Sequence, residues 1–435
     1  MRILGLLLFT LTAWTATGVA SAASYGPQQQ AYAVKATSTA NGRLTGTETI
    51  SFINSTTAPI TEVWLRLWAN GDGCGQRHIT ISGLTSGSIT ATAKRCTAAK
   101  VLLTTPLQPS ATAQLALRFA IHLPRGNARL GTANGASYYG NALPVLATTR
   151  DGAPVLNPPN YLGDPFVAST ARWTIDLTWP SALAAATGGV PAAAAAPPGQ
   201  RRATFTSPAA RDMTIAIGPW RESTTTAAGT RIRVLAPSGT SARGLLTAAR
   251  SSFTRMTQRY GSTGLSQFDV IVTPGLESYG MEYSGLVLTE PSKETLVHEV
   301  AHQWFSELVG SDGYTEPWLD EGPTTYAQLR DLGSLGGCNL STPFAGYGTA
   351  RLTWTLGQFS QHDDWYDAVY DGAACALAKL NRDWGKHAVD GILRTWVERH
   401  RNGIATTADF ITLLRDRAPA GYDVDAFLRY ARLTS

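Results

Sequence analysis

The stretch Ser292-Lys293-Glu294-Thr295-Leu296-Val297-His298-Glu299-Val300-Ala301-His302-Gln303-Trp304-Phe305-Ser306-Glu307-Leu308-Val309-Gly310 has the grammar of one amphipathic helix. Ser292 is an N-cap and Gly310 a stop, and Leu296, Val297, Val300, Ala301, Trp304, Phe305 and Leu308 recur at helical spacing. His298 and His302 stand four residues apart, so their rings lie on one face about a turn from each other. That spacing lets both bind one zinc ion. Glu299, between them, projects beside the metal, where a carboxylate can take a proton from water.

A third ligand must come from a second element packed on this helix, and Glu321 is the candidate. Pro323 is tolerated in a helix's first turn, which predicts that the helix holding Tyr326 and Leu329 starts near Asp320 and leaves Glu321 at its opening. Gln303 and Asp320, next to the ligands, are candidates to orient them. Trp304 and Trp318 read as packing around the site. The other histidines, 78, 122, 362, 387 and 400, stand without such company.

Upstream the period of the pattern is two. Trp173, Ile175, Leu177 and Trp179 alternate with Thr174, Asp176 and Thr178, and Leu115, Leu117, Phe119 and Ile121 do the same. From Tyr32 to about Gly218 this predicts half-buried antiparallel strands in a sandwich or saddle. Gly188 to Arg202, rich in Ala, Pro and Gly, reads as a long loop inside that domain, because the strand pattern of Met213, Ile215 and Ile217 follows it. After residue 219 come a strand at Arg231 to Leu235, a helix with Leu245, Ala249, Phe253, Met256 and Tyr260 on one face, and short strands at Phe268 to Val272 and Leu286 to Leu288. Helical signals then run almost to the end. The expected class is α+β in two domains: a β-rich domain over 23–218, then a small sheet plus helices over 219–435.

The 435 residues, 43% hydrophobic and 15% charged, suffice for two folded cores and exclude a disordered, collagen-like or coiled-coil chain. The formal net charge of +5 is spread without a basic stripe, which excludes nucleic acid as a partner. Arg2, the apolar run Ile3 to Leu11 and the small residues ending Ala20-Ser21-Ala22 form a signal peptide over 1–22, so the mature chain is expected to be secreted and to begin near Ala23. Neither that run nor any later one is long enough for a membrane anchor. Outside the cell, Cys74, Cys96, Cys338 and Cys375 should pair. Of the possible connectivities, Cys74 with Cys96 and Cys338 with Cys375 keeps each bridge inside one region.

The residues His298-Glu299-Val300-Ala301-His302-Gln303-Trp304 and Trp318-Leu319-Asp320-Glu321-Gly322 resemble the zinc aminopeptidases typified by aminopeptidase N, gluzincins whose catalytic domain is thermolysin-like. The resemblance covers both regions in order and implies a minimal two-domain member holding one zinc per chain and acting on peptides with a free N-terminus. The family's Gly-x-Met-Glu-Asn stretch corresponds to Tyr279-Gly280-Met281-Glu282-Tyr283, where Tyr279 and Tyr283 depart from the pattern. It implies substrate binding by Gly280, Met281 and Glu282, with Glu282 on the free amino group. The family's catalytic Tyr aligns with Tyr370, and Tyr366 is its rival if the alignment slips by a turn. A zinc endopeptidase, or a binding protein derived from one, is the competing expectation. No oligomeric partner is legible.

Overall fold

In the computed structural model the described residues are 25–434 apart from Tyr347 and Asp363. The expected signal peptide lies outside them. The first region is built on a seven-stranded sheet whose order runs Val190–Ala194, Gln200–Ala210, Ala171–Pro180, Gln28–Ser38, Arg43–Ile53, Thr112–His122, Ile79–Ser82. Alternation places Trp173, Ile175, Leu177 and Trp179 in the core, with Tyr32 stacked on Trp173 at 4.0 Å between ring centroids. Smaller sheets cover this face, and the apolar area so removed from water is what holds the layers together.

Two expectations for this domain are corrected. Ala171–Pro180 pairs in parallel with Gln28–Ser38, so the sheet is not wholly antiparallel. Alternation reports which face is buried and carries no information on strand direction. The segment read as a long loop is a hairpin, in which Val190–Ala194 pairs with Gln200–Ala210 from Val190 opposite Thr206 to Ala194 opposite Arg202. Its alanines and Pro191 have weak strand signals, and an edge strand is where a sheet accepts proline.

Strand Ile215–Gly218 belongs to a sheet of the first region and strand Trp220–Ala227 opens the five-stranded sheet of the second. That sheet runs Trp220–Ala227, Thr230–Pro237, Gln267–Val272, Leu286–Thr289, Gly280–Tyr283, which leaves Gly280–Tyr283 on an edge. On one of its faces packs helix Ala242–Tyr260, with Leu245, Ala249, Phe253, Met256 and Tyr260 buried as the spacing predicts. A separate apolar cluster joins the two regions: Ala136, Tyr138 and Ala216 of the first meet Leu235, Ile271 and Leu288 of the second.

The histidine helix runs Lys293–His302 and continues as a π-helical turn, Gln303–Leu308, with the Ser292 hydroxyl accepting from the Thr295 amide at 3.2 Å. The next helix, Trp318–Leu332, starts slightly before the expected Asp320. Pro323 therefore stands inside it and forgoes one backbone hydrogen bond. Disulfides Cys74–Cys96 and Cys338–Cys375 are both formed within their regions. Among the described residues no helix is long and apolar enough to cross a membrane.

Candidate metal centre

Helices Lys293–His302 and Trp318–Leu332 pack side by side, and three ligand atoms converge between them. His298 Nε2 is 3.0 Å from His302 Nε2 and 3.2 Å from Glu321 Oε2, and His302 Nε2 is 3.4 Å from the same oxygen. The far nitrogens face acceptors: His302 Nδ1 lies 2.8 Å from Asp320 Oδ1, and His298 Nδ1 lies 3.2 Å from Gln328 Oε1. His302 Nδ1 also lies 3.3 Å from Thr324 Oγ1, so polar groups on Trp318–Leu332 flank both rings while the two Nε2 atoms point at one carboxylate oxygen.

Two ring nitrogens and a carboxylate oxygen that converge on one point make a ligand set for a cation. Ligand atoms about 2.0–2.1 Å from a tetrahedral zinc ion stand about 3.3 Å apart, which is the spacing seen. The two imidazoles and one carboxylate therefore fit zinc. Burial alone would raise the Glu321 carboxyl, but the imidazoles beside it, His302 foremost, hold it well below the usual carboxylate range. Asp320 lies against the ring of His302. Gln303 does something else: it accepts from the Gly285 amide at 2.9 Å and donates to the Tyr283 carbonyl at 3.1 Å, tying the histidine helix to the turn of the edge hairpin.

Glu299 is 4% exposed, and its Oε2 has no hydrogen-bond partner among the described residues. Burial pushes its carboxyl up to about 7, with His302 and His298 opposing. Ligand atoms of Glu299, Glu282 and His302 lie within 4.8 Å of one another. Along the edge strand Gly280 and Glu282 face this group, while alternation turns Met281 the other way into the cluster between the two regions. Met281 therefore has only its backbone to offer a substrate.

Tyr370 sits in the π-helical turn Asp367–Gly372, its hydroxyl donating to Glu321 Oε1 at 2.7 Å and its ring stacked over His298. Tyr366 stacks on the outer face of Tyr370 at 4.4 Å and is 59% exposed, so it stands on the rim. The remaining wall comes from the first region and had no signal in the sequence. Asp164 faces Glu282 and, after burial, is the largest influence raising its carboxyl. Arg129 holds Asp164, with Nη1 3.0 Å from Oδ2, and donates to Asn141 Oδ1 at 2.8 Å. A cavity of about 70 Å3 opens between Asn141, Asp164, Glu282, Glu307 and Asp320. A larger one, about 540 Å3, lies between Gln29, Thr170, Arg172 and Asn402 and contains none of the site residues.

Fold and site together resemble one class, the two-domain zinc metallopeptidases. Residues 289–430 match the peptidase family M1 domain, and the resemblance to the aminopeptidase N-type gluzincins holds. Aminopeptidase M1-C of Oryza sativa subsp. japonica is 25% identical over 182 residues, 35% of this chain and 21% of that protein. Aminopeptidase N of Streptomyces lividans is 23% identical over 181 residues, 34% of this chain and 21% of its own length. The matched stretches thus span about a fifth of these curated relatives. Among solved structures, an M1 zinc metallopeptidase from Deinococcus radiodurans is similar at a TM-score of 0.71 and 20% identity, over 94% of this chain and 93% of that one. A mutant of that protein bound to a Tyr-Ser-Ala substrate gives 0.72 at 19% identity, over 94% and 95%. These likenesses establish the two-domain fold.

Proposed function

We propose that the chain is a secreted zinc-dependent aminopeptidase that removes N-terminal residues from peptides. The observation that carries this reading is the half-buried Glu282 carboxylate, on an edge strand and within 4.8 Å of Glu299 and the ligand His302. A peptide whose α-ammonium meets Glu282 has its first peptide bond beside Glu299. The relatives' names, and the Tyr-Ser-Ala complex of the structural neighbour, support peptides as substrates.

His298, His302 and Glu321 would hold one zinc ion per chain, which when bound supplies Lewis acidity at the scissile carbonyl and lowers the pKa of water. Glu299, poised near neutrality, takes the proton from the attacking water and returns it to the leaving amine. Tyr370 turns its hydroxyl from Glu321 to the oxyanion and donates a hydrogen bond there. The free edge of Gly280–Tyr283 pairs with the extended substrate backbone. Glu282 fixes the amino group and so places the cut after the first residue. Secretion is supported by the leader-like residues 1–22 and by the two disulfides, which persist in oxidising compartments.

The test is a panel of aminoacyl fluorogenic amides, each beside its N-acetylated twin, with and without a chelator. Free amines should be cut and their twins spared, and the chelator should abolish turnover. Cleavage of blocked peptides at internal bonds, as readily as of free ones, would replace aminopeptidase with endopeptidase.

A further inference from the structure

Arg211 lies in the first region, directly after strand Gln200–Ala210, yet its side chain is buried against the end of the histidine helix. The last carbonyls of a helix have no partner inside it and form its negative pole. Arg211 Nε donates to the carbonyls of Ser306 at 3.0 Å and Glu307 at 2.9 Å, and Nη2 donates to that of Leu308 at 3.4 Å. The same guanidinium reaches Ala168 O at 2.9 Å and Gly403 O, so it joins the helix end to two further segments. The backbone is shaped around it: a Cβ on Gly310 would stand 2.4 Å from Arg211 Cζ.

Two further chains of hydrogen bonds run from residues 211 and 212 to the walls of the cavity beside Glu282. The Arg211 amide donates to Ser284 Oγ at 3.0 Å; Ser284 follows the Glu282 strand, and its hydroxyl bonds the Glu307 carboxylate. Asp212 Oδ2 accepts from Asn141 at 3.0 Å, Asn141 accepts from Arg129, and Arg129 holds Asp164, the carboxylate facing Glu282.

We propose that Arg211 is a positioning residue, which locks the N-terminal-domain wall and the Glu282 hairpin in register with the histidine helix and so sets where a substrate's amino group lies relative to the scissile bond. The inference rests on the aminopeptidase reading of Glu282. Arg211 borders the cavity beside Glu282, but its guanidinium is spent on backbone carbonyls, so it acts through the elements it joins. Lys would keep the charge, but its ammonium has fewer donors and no planar fork, so the joint would loosen while the metal ligands stay on their own two helices.

The experiment compares wild type, Arg211→Lys, Ser284→Ala and Glu282→Ala for kcat and KM on a free aminoacyl amide and its N-acetylated twin, with zinc content and Tm alongside. A misplacement of about 1 Å costs on the order of 100-fold, so Arg211→Lys should lose roughly 10- to 100-fold in kcat/KM on the free amine. Its zinc content should stay at the wild-type level, and its free-to-acetylated ratio should shrink toward that of Glu282→Ala. A lower Tm with kcat and ratio unchanged overturns the proposal and leaves a purely structural joint. If Arg211→Lys does not fold, Ser284→Ala decides: a narrowed ratio with zinc retained supports the proposal, and a wild-type ratio overturns it. Should wild type itself cut both twins alike, the aminopeptidase reading fails on its own. In that case kcat of the variants still decides, a fall of ~10-fold or more at intact zinc supporting the joint and an unchanged kcat overturning it.

Discussion

The Glu299 carboxylate occupies the space into which residue 280 would project: a Cβ on Gly280 would stand 2.0 Å from Glu299 Oε1. The edge strand and the histidine helix can be this close only because the position is glycine. Gly280→Ala must push the carboxylate aside. With the three ligands untouched, it should retain zinc and lose on the order of 100-fold in kcat, as expected for a catalytic group displaced by about 1 Å. Metal analysis beside steady-state kinetics checks this, and a near-normal kcat would show that Glu299 has other productive positions.

Glu299→Gln and Glu321→Ala should fail in different ways. The first keeps the ligand set and removes the proton acceptor, so it should bind zinc and lose ~100- to 10,000-fold in turnover. The second removes a ligand, so zinc retention and activity should fall together. Zinc bound by Glu321→Ala as tightly as by wild type would mean that the third ligand lies elsewhere.

Tyr370 and Tyr366 are four residues apart and in stacking contact, but only Tyr370 bonds a ligand carboxylate. Tyr370→Phe should lower kcat by ~100- to 1000-fold and leave KM within a few-fold, the pattern for a donor acting in the transition state. Tyr366→Phe should leave kcat close to wild type. Exchange of these two results in the same assay would transfer the oxyanion role to Tyr366.

Glu282 predicts the penalty for a blocked N-terminus. Losing the cationic partner of a desolvated carboxylate typically costs ~2 to 5 kcal/mol, or roughly 30-fold to several thousand-fold in kcat/KM. Glu282→Ala should be poor on free amines and should discriminate little between a substrate and its acetylated twin.

Glu48 gives a stability prediction remote from the site. It is 1% exposed on the core face of Arg43–Ile53, and neither carboxylate oxygen has a hydrogen-bond partner among the described residues. Burial, and then Asp212, raise its carboxyl well above the usual range, so the folded chain holds a proton that the unfolded chain releases. Its contribution is complete at pH values below the unfolded carboxylate range and is lost as pH rises through the folded value. Glu48→Gln should raise Tm at pH 7 to 8, by about 2 to 4 °C per kcal/mol recovered, and flatten the decline in Tm from acid to neutral pH. Some decline should remain, because Asp212, pushed up to about 7 by burial, has the same sign. Thermal melts at several pH values measure it, and a variant with the wild-type slope would refute the assignment to Glu48.

What the sequence determined by itself was local. Helical geometry puts residues four apart on one face, so the convergence of His298 and His302, with Glu299 between them, was legible without any knowledge of the fold, and Pro323 placed Glu321 near a helix start to within about a turn. Period-two runs likewise revealed the buried faces of strands such as Ala171–Pro180. Tertiary structure decided everything that depends on which elements meet. The parallel pairing with Gln28–Ser38, the turning of Met281 away from the cleft, the Arg129 to Asp164 pair beside Glu282, and Arg211 at the end of the histidine helix left no pattern in the chain. Each joins segments distant in sequence or depends on which face of a sheet is covered. Such relationships follow from how apolar surfaces are buried together, and spacing along the backbone does not encode them.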